Sequence, residues 1–225
     1  MLQVRPAPAQ TTAVIAELAQ LCEQLGWQPN VIQTDRGPCF VGTDGGASRA
    51  VPGRVTLWLW GLGIEHRLIP VGKPQRNGVV ERFHGAMERS WADEVDGLSA
   101  LTDVWNHLRP EIRATLIAYR GHTDFRMERV WGHLERVQVE RCVSRQGKLS
   151  LWDRDIHVGR VLADRQVVVT FDAARHHLVV RDKRLVLLAE VALPWLTCAW
   201  IWTGRVGADL GSVPAHPAGD TATFP

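Results

Sequence analysis

Two acidic residues stand in sequence contexts that suit a divalent-metal site. Asp35 follows the short apolar run Val31–Thr34, and Glu81 follows the Gly- and Lys-containing segment 72–80. The apolar run predicts a strand, and the second segment predicts a loop that opens a helix with Glu81 in its first turns. Hard cations such as Mg²⁺ take carboxylate oxygens and keep waters for substrate phosphates. On rigid elements, such a site can clamp the attacking and leaving oxygens of a phosphoryl transfer.

Basic side chains surround the second carboxylate. Lys73 and Arg76 precede Glu81, and Arg82 follows it. One interpretation makes these cations phosphate contacts. The other makes them solvated surface charges, and the sequence alone does not separate the two.

The motifs around both acids resemble the catalytic core of the integrase/transposase family. Thr-Asp-Arg-Gly-Pro at 34–38 with Phe40 is similar to that family's second-Asp motif, and the segment 72–84 is similar to its Glu motif. Leu62–His66 is similar to the strand that joins them. The resemblance covers about residues 11–95. It implies an RNase H-like α/β fold with two Asp and one Glu as catalytic residues, and Mg²⁺ or Mn²⁺ as cofactor.

The resemblance assigns catalytic and metal-ligating roles to Asp35 and Glu81 and leaves the first Asp without a counterpart. The only acids before Asp35 are Glu17 and Glu23, and both lie inside a predicted helix. We therefore expect a partial RNase H-like fold whose first strands are missing. We also expect that the chain alone does not cut or join DNA, because loss of one member of a cooperative catalytic set removes nearly all the chemistry. A true start upstream of Met1 would restore the missing strands, and this alternative stays open.

The surrounding elements predict an α/β arrangement. Helical spacing of apolar residues predicts a helix over Thr11–Gly26 and a short apolar helix over Val55–Leu62, and strands are expected at Val31–Thr34 and Ile64–Ile69. The Gly-rich segment 39–54 predicts a loop. This loop accounts for the 46 positions between Asp35 and Glu81, which exceed the compact family spacing.

A basic helical linker is expected between the core and the C-terminal region. From Arg109 to Arg145 the chain has eight Arg against five acids. Contacts to DNA phosphates are predicted for Arg109, Arg113 and Arg120. The competing interpretation is a solvated helix face.

The C-terminal region changes to an alternating pattern. Five short strands between Lys148 and Val191 predict a small SH3-like β-barrel. The region resembles the Mu-transposase-like C-terminal β domain of several transposases, notably at Asp155–Arg160, and Arg160 is a predicted DNA contact. The chain after Trp195 is expected to be disordered because Gly, Ala, Pro and Thr dominate it.

These expectations divide the chain into five parts. They are a flexible N-terminus at 1–10, a partial integrase catalytic core at 11–95, a basic helical linker at 96–145, a β-barrel at 146–193 and a disordered tail at 194–225.

Composition sets outer bounds on the function. The net charge is +2, so total charge does not indicate nucleic acid and only its distribution can. The four cysteines are scattered, which argues against a zinc knuckle or a disulfide framework and favours a reducing cytoplasm. No apolar run reaches membrane-spanning length, so no membrane partner is expected.

Two function classes remain. The first is a truncated transposase or integrase of the family that uses two Asp and one Glu. It would bind DNA and associate as a homo-oligomer or with a full-length transposase. Enzymatic activity, a Mg²⁺-dependent DNA strand transfer in the family, is left undecided for this chain. The second class is a non-enzymatic protein-interaction module, or an inhibitor of a full-length transposase.

Overall fold

The computed structural model describes residues 11–37, 40–41, 51–70, 78 and 117–207, in which helices and several small sheets are mixed. Its helices are α1 (Thr11–Leu25), α2 (Arg54–Leu62), α3 (Met127–Leu134) and α4 (Cys198–Thr203). Its strands are β1 (Trp27–Gln28), β2 (Val31–Thr34), β3 (Glu65–Leu68), β4 (Ile117–Ala118), β5 (Val139–Cys142), β6 (Lys148–Leu151), β7 (Arg154–His157), β8 (Gln166–Asp172), β9 (His177–Arg181) and β10 (Leu187–Ala192). The coarse prediction of an α/β fold is confirmed.

Helix α2 lies at the centre of the core. Nearly every residue of this helix is buried, including Trp58, and α1, α3, α4 and β3 all pack against it. A helix that is apolar on all sides must be covered on all sides. The Arg54 guanidinium joins three of these helices, since Nε donates to the Ile201 carbonyl at 3.1 Å and Nη2 donates to the Thr12 hydroxyl at 2.6 Å. Gly63, at φ 78°, ends the helix in the left-handed conformation that glycine adopts readily.

Two small sheets accompany these helices. β2 and β3 run parallel, with Val31 opposite Glu65 and Thr34 opposite Leu68. β1 pairs antiparallel with β4, which lies far along the chain. The predicted strands at Val31–Thr34 and Ile64–Ile69 and the predicted helices at Thr11–Gly26 and Val55–Leu62 are thus confirmed to within a residue or two.

The C-terminal region contains a four-stranded antiparallel sheet in the order β10-β9-β8-β5 and a separate β6–β7 hairpin. Buried side chains of the hairpin and of the sheet, among them Leu149, Ile156, Val169 and Leu178, join one core cluster. The five predicted strands are present. The second of them is shorter than expected, because Arg160–Leu162 form a 3₁₀ turn.

The prediction of a helical linker at 96–145 is wrong in its described part. Ile117–Ala118 form β4, and Val139–Cys142 form β5, which pairs with Gln166–Val169 of β8. Only α3 and a 3₁₀ turn at Gly121–Asp124 are helical there. The physical reason is that Val139 is buried and pairs with Val169 of β8, a long-range partner that the local excess of Arg over acids does not reveal.

The prediction of a disordered tail from 194 is wrong for its first part. Residues Cys198–Thr203 form α4, with Trp200 and Ile201 buried. The Thr197 side chain caps this helix by accepting a hydrogen bond from Trp200 N at 3.2 Å. The Trp202 ring meets the Trp58 ring edge-on at 5.5 Å between centroids, so apolar burial orders the segment despite its flanking composition.

No helix in the described parts of the chain combines the length and apolar character needed to cross a bilayer. Among the described cysteines, Cys22, Cys142 and Cys198 carry free thiols. Burial, aided by Glu23, raises the pKa of Cys22 to about 11, which keeps that thiol protonated and unreactive.

Candidate functional site

Asp35 lies at the carboxyl end of β2, one residue beyond its last paired position. Its side chain is exposed, and its Oδ1 accepts the Gly37 N–H at 2.8 Å in a tight turn. Backbone bonds from Phe40 and Val41 to the Gly37 carbonyl, at 2.9 and 3.1 Å, continue this turn. The carboxylate is therefore carried by an ordered strand end with access to solvent.

Strand β3 brings the chain to the same place. Ile69 N donates to the Thr34 carbonyl at 2.9 Å, and Arg36 Nε donates to the Ile69 carbonyl at 3.2 Å. Because β2 and β3 are parallel, their carboxyl ends meet at one edge. The chain therefore leaves β3 beside Asp35 as it enters the segment that contains Glu81.

The two residues that flank the Gly-rich segment before α2 are paired near this edge. Val41 and Pro52 form an antiparallel bridge, so the two ends of residues 42–51 are held together. A loop closed at its base adds chain length without displacing the elements on either side. The long spacing between Asp35 and Glu81 is thus compatible with an intact β2–β3 pair.

A hydrogen-bonded network stands directly behind Asp35. The Thr34 hydroxyl donates to the Asp35 carbonyl at 2.9 Å and lies 2.8 Å from His66 Nε2. On the other side of the ring, the Thr56 hydroxyl donates to the Phe40 carbonyl at 3.1 Å and lies 2.8 Å from His66 Nδ1. His66 is half-buried, and burial lowers its pKa below the usual 6.5, so the ring is neutral at pH 7.

The donor chemistry at this edge fits a hard cation. Asp35 offers an exposed carboxylate, the ligand type that Mg²⁺ and Mn²⁺ prefer. His66 is unsuited to a metal because both of its ring nitrogens face threonine hydroxyls. Within the described parts of the chain, no group of three or more His, Cys, Asp or Glu side chains is close enough to hold an ion. Asp35 is thus the one member of the expected ligand pair that the structure places.

The other predicted site residues have mixed positions. Glu81 and five of the predicted phosphate contacts lie outside the described residues: Lys73, Arg76, Arg82, Arg109 and Arg113. Arg120 and Arg160 are described and exposed, and neither forms an ion pair with another described residue. Their exposure is compatible with phosphate contacts and does not distinguish these from solvated charges.

Sequence reasoning missed the two threonines and the histidine behind Asp35. His66 stood in the motif Leu62–His66, where it was noted without a role. Thr34 stood in the second-Asp motif, and Thr56 stood in an apolar helix. The only available signal was the presence of polar residues at the ends of otherwise apolar elements.

Comparison with protein families identifies part of the chain. Residues 62–114 match the model of the integrase core domain. The matched segment begins at the last residue of α2, includes β3 and Glu81, and spans less than a quarter of the 225 residues. The resemblance to an integrase/transposase catalytic core is therefore confirmed, and the match does not favour the interaction-module alternative. No curated protein was found to match the chain.

Proposed function

We propose that this chain is an integrase- or transposase-type protein that binds DNA, with Asp35 and Glu81 as ligands of Mg²⁺ or Mn²⁺. One observation carries the proposal. Asp35 stands at the carboxyl end of β2, and the Ile69–Thr34 hydrogen bond holds the parallel neighbour β3 at that same edge. β3 itself belongs to the matched integrase segment, which also contains Glu81.

The proposed roles follow from charge and position. Asp35 and Glu81 hold the cation, which when bound would polarise phosphoryl oxygens of the DNA backbone. Binding to DNA phosphates is assigned to seven cations, which supply affinity without reading sequence: Lys73, Arg76, Arg82, Arg109, Arg113, Arg120 and Arg160. The protein acts in the cytoplasm, as a homo-oligomer or with a full-length transposase.

The proposed architecture has a partial RNase H-like core at 11–95 and a C-terminal SH3-like unit. Trp152, in the turn of the β6–β7 hairpin, lies 5.7 Å from Phe171 of β8 between ring centroids, and this contact of the hairpin with the four-stranded sheet supports a small barrel. Because β5 pairs with β8, we propose that this unit starts at Val139 and not at 146.

Metal binding tests the carboxylate assignment. Mn²⁺ titration by calorimetry is expected to give binding to the parent chain and none to the double variant Asp35→Asn, Glu81→Gln. The control variant Asp164→Asn, Glu135→Gln removes the same charge from exposed positions elsewhere and should bind like the parent. Equal binding by both double variants would remove the assignment.

The chain alone is proposed to be inactive in strand transfer, because no acid of its sequence takes the role of the first Asp. A nicking assay with Mg²⁺ or Mn²⁺ is expected to give the same background for the parent and for Asp35→Ala. Activity of the parent above that background would contradict the proposal.

A further inference from the structure

The network behind Asp35 has one proton fewer than its contacts require. Each threonine hydroxyl has one proton, and a neutral imidazole has one N–H. The two hydroxyls make four contacts, two with the ring of His66 and two with the carbonyls of Asp35 and Phe40. Three protons cannot occupy four contacts, so one hydroxyl must turn from its carbonyl toward the ring.

The tautomer of His66 decides which carbonyl is released. With the proton on Nε2, the ring donates to the Thr34 hydroxyl, and that hydroxyl donates to the Asp35 carbonyl. The Thr56 hydroxyl then donates to Nδ1 and not to the Phe40 carbonyl. With the proton on Nδ1, the ring donates to the Thr56 hydroxyl, and that hydroxyl donates to the Phe40 carbonyl. The Thr34 hydroxyl then donates to Nε2 and not to the Asp35 carbonyl. Thr34 is bonded to the ring in both states, whereas the Asp35 carbonyl is bonded in only one.

We propose that His66 is a positioning residue for Asp35, acting through ring Nε2 and the Thr34 hydroxyl. The contact connects β3 to the last residue of β2, and Thr56 anchors the opposite side of the ring to the buried face of α2. The backbone of Asp35 is thereby connected to the buried core through hydrogen bonds. The inference rests on the proposed metal role of Asp35 for its functional meaning, and on hydrogen bonds alone for its structural part.

Two substitutions at His66 separate positioning from simple packing. The glutamine amide of His66→Gln reaches about as far as Nε2 and can still contact Thr34. The shorter amide of His66→Asn reaches about as far as Nδ1 and can contact only Thr56. Both lose the ring, so both should reduce the free energy of unfolding to a similar extent.

The local readout is exchange of the Gly37 amide, which donates to Asp35 Oδ1. In His66→Asn this amide is expected to exchange about fivefold faster than in the parent, the effect of one lost hydrogen bond of ordinary net strength. In His66→Gln the exchange should stay close to the parent rate. Equal acceleration in both variants would mean a packing role and would overturn the inference.

A second pair keeps the test decisive if the His66 variants do not fold. Thr34→Val removes the hydroxyl with little change of shape, and Thr34→Ser retains it. Faster Gly37 exchange in the valine variant, with rescue in the serine variant, supports the inference. No difference between the two overturns it.

Mn²⁺ affinity links the positioning to the metal role. If the parent binds Mn²⁺, His66→Asn should weaken binding about fivefold by the same hydrogen-bond loss, and His66→Gln should not. Equal affinity in both variants would overturn the inference while leaving the metal assignment intact. If the parent binds no Mn²⁺, the metal assignment fails by itself, and Gly37 exchange decides the positioning role.

Discussion

At the residue scale, Gly61 is the position in α2 where no side chain fits. A Cβ built there would overlap the ring of Phe125, which packs against the helix backbone. The substitution Gly61→Ala is therefore expected to reduce the free energy of unfolding by about 1–3 kcal/mol through overpacking, despite the better helix propensity of alanine. Urea denaturation measures the change.

Gly132 in α3 provides the matched control. It is helical and exposed, and a Cβ there would have no neighbour within 4 Å. Gly132→Ala should raise the free energy of unfolding by roughly 0.4–1 kcal/mol, since alanine restricts the unfolded chain. If Gly61→Ala has the same free energy of unfolding as the parent, the Phe125 ring moves aside at no cost, and the overpacking prediction is wrong.

His66 gives the molecule a predicted pH dependence. Burial places its pKa in the folded protein below the 6.5 of the unfolded chain, so between these two values the unfolded state binds more protons. The free energy of unfolding should therefore fall as pH is lowered through about 6.5 toward the folded pKa. Urea denaturation at a series of pH values measures this slope.

The control for this slope is His66→Gln, which cannot titrate. Its stability should change less over the same interval than that of the parent. An unchanged slope would assign the pH dependence to other groups.

At the element scale, the predictable parts are those with strong local signals. α1 and α2 have apolar residues at helical spacing, and β8 and β9 are apolar runs between turn residues. Each of these elements can therefore be predicted from its own segment of sequence. Strand β5 is four residues long and owes its burial to β8, which lies over twenty positions later. Charge counting along the chain therefore placed it in a helical linker.

The candidate site also has one part that the sequence predicts and one part that it does not. Asp35 was found because its motif is contiguous in sequence. The network behind it combines Thr34, Thr56 and His66 from three different elements, and only the parallel pairing of β2 with β3 and the packing of α2 bring them together. No spacing of residues along the chain predicts that these three side chains are in contact.

Helix α4 is too short for periodicity, and its stability comes from burial. Trp200 is 3% exposed, its ring lies 5.1 Å from that of Trp195, and Arg54 stands 5.9 Å above it. Trp200→Ala should cost about 3–5 kcal/mol of unfolding free energy, the range for truncation of a large buried aromatic side chain. Thermal or urea denaturation, followed by circular dichroism, measures the loss.

Val206→Ala is the control for this segment, because Val206 is half exposed beyond the end of the helix. It should leave the stability within about 0.5 kcal/mol of the parent. A Trp200→Ala variant as stable as Val206→Ala would mean that α4 does not contribute to the core.

At the scale of the whole molecule, the placement of charge matters more than the net value of +2. Several cations of the C-terminal sheets are paired with acids, as Lys148 is with Asp155 at 3.1 Å and Arg175 with Glu190 at 3.0 Å. Lys183 and Arg184, in the turn between β9 and β10, are exposed and have no ion-pair partner among the described residues.

The turn itself keeps these two cations available. Asp182 Oδ1 accepts the N–H groups of Arg184 and Val186, both at 2.8 Å, so the nearby carboxylate is engaged by the backbone. Leu185 and Val186 in the same turn are each 56% exposed. Exposed cations on a turn held by backbone hydrogen bonds are a favourable arrangement for contact with a phosphate backbone.

We predict that this turn adds phosphate contacts to those proposed above, and the salt dependence of DNA binding tests the prediction. Each phosphate neutralised on duplex DNA contributes about 0.9 to the slope of log affinity against log salt, so Lys183→Gln, Arg184→Gln should lower the slope by about 1.8. The control Lys148→Gln, Arg175→Gln removes the same charge from paired positions and should change the slope much less. Fluorescence anisotropy with a labelled duplex from about 50 to 200 mM salt gives both slopes. Equal loss in the two variants would mean that DNA responds only to total charge, and the turn would then have no special part in binding.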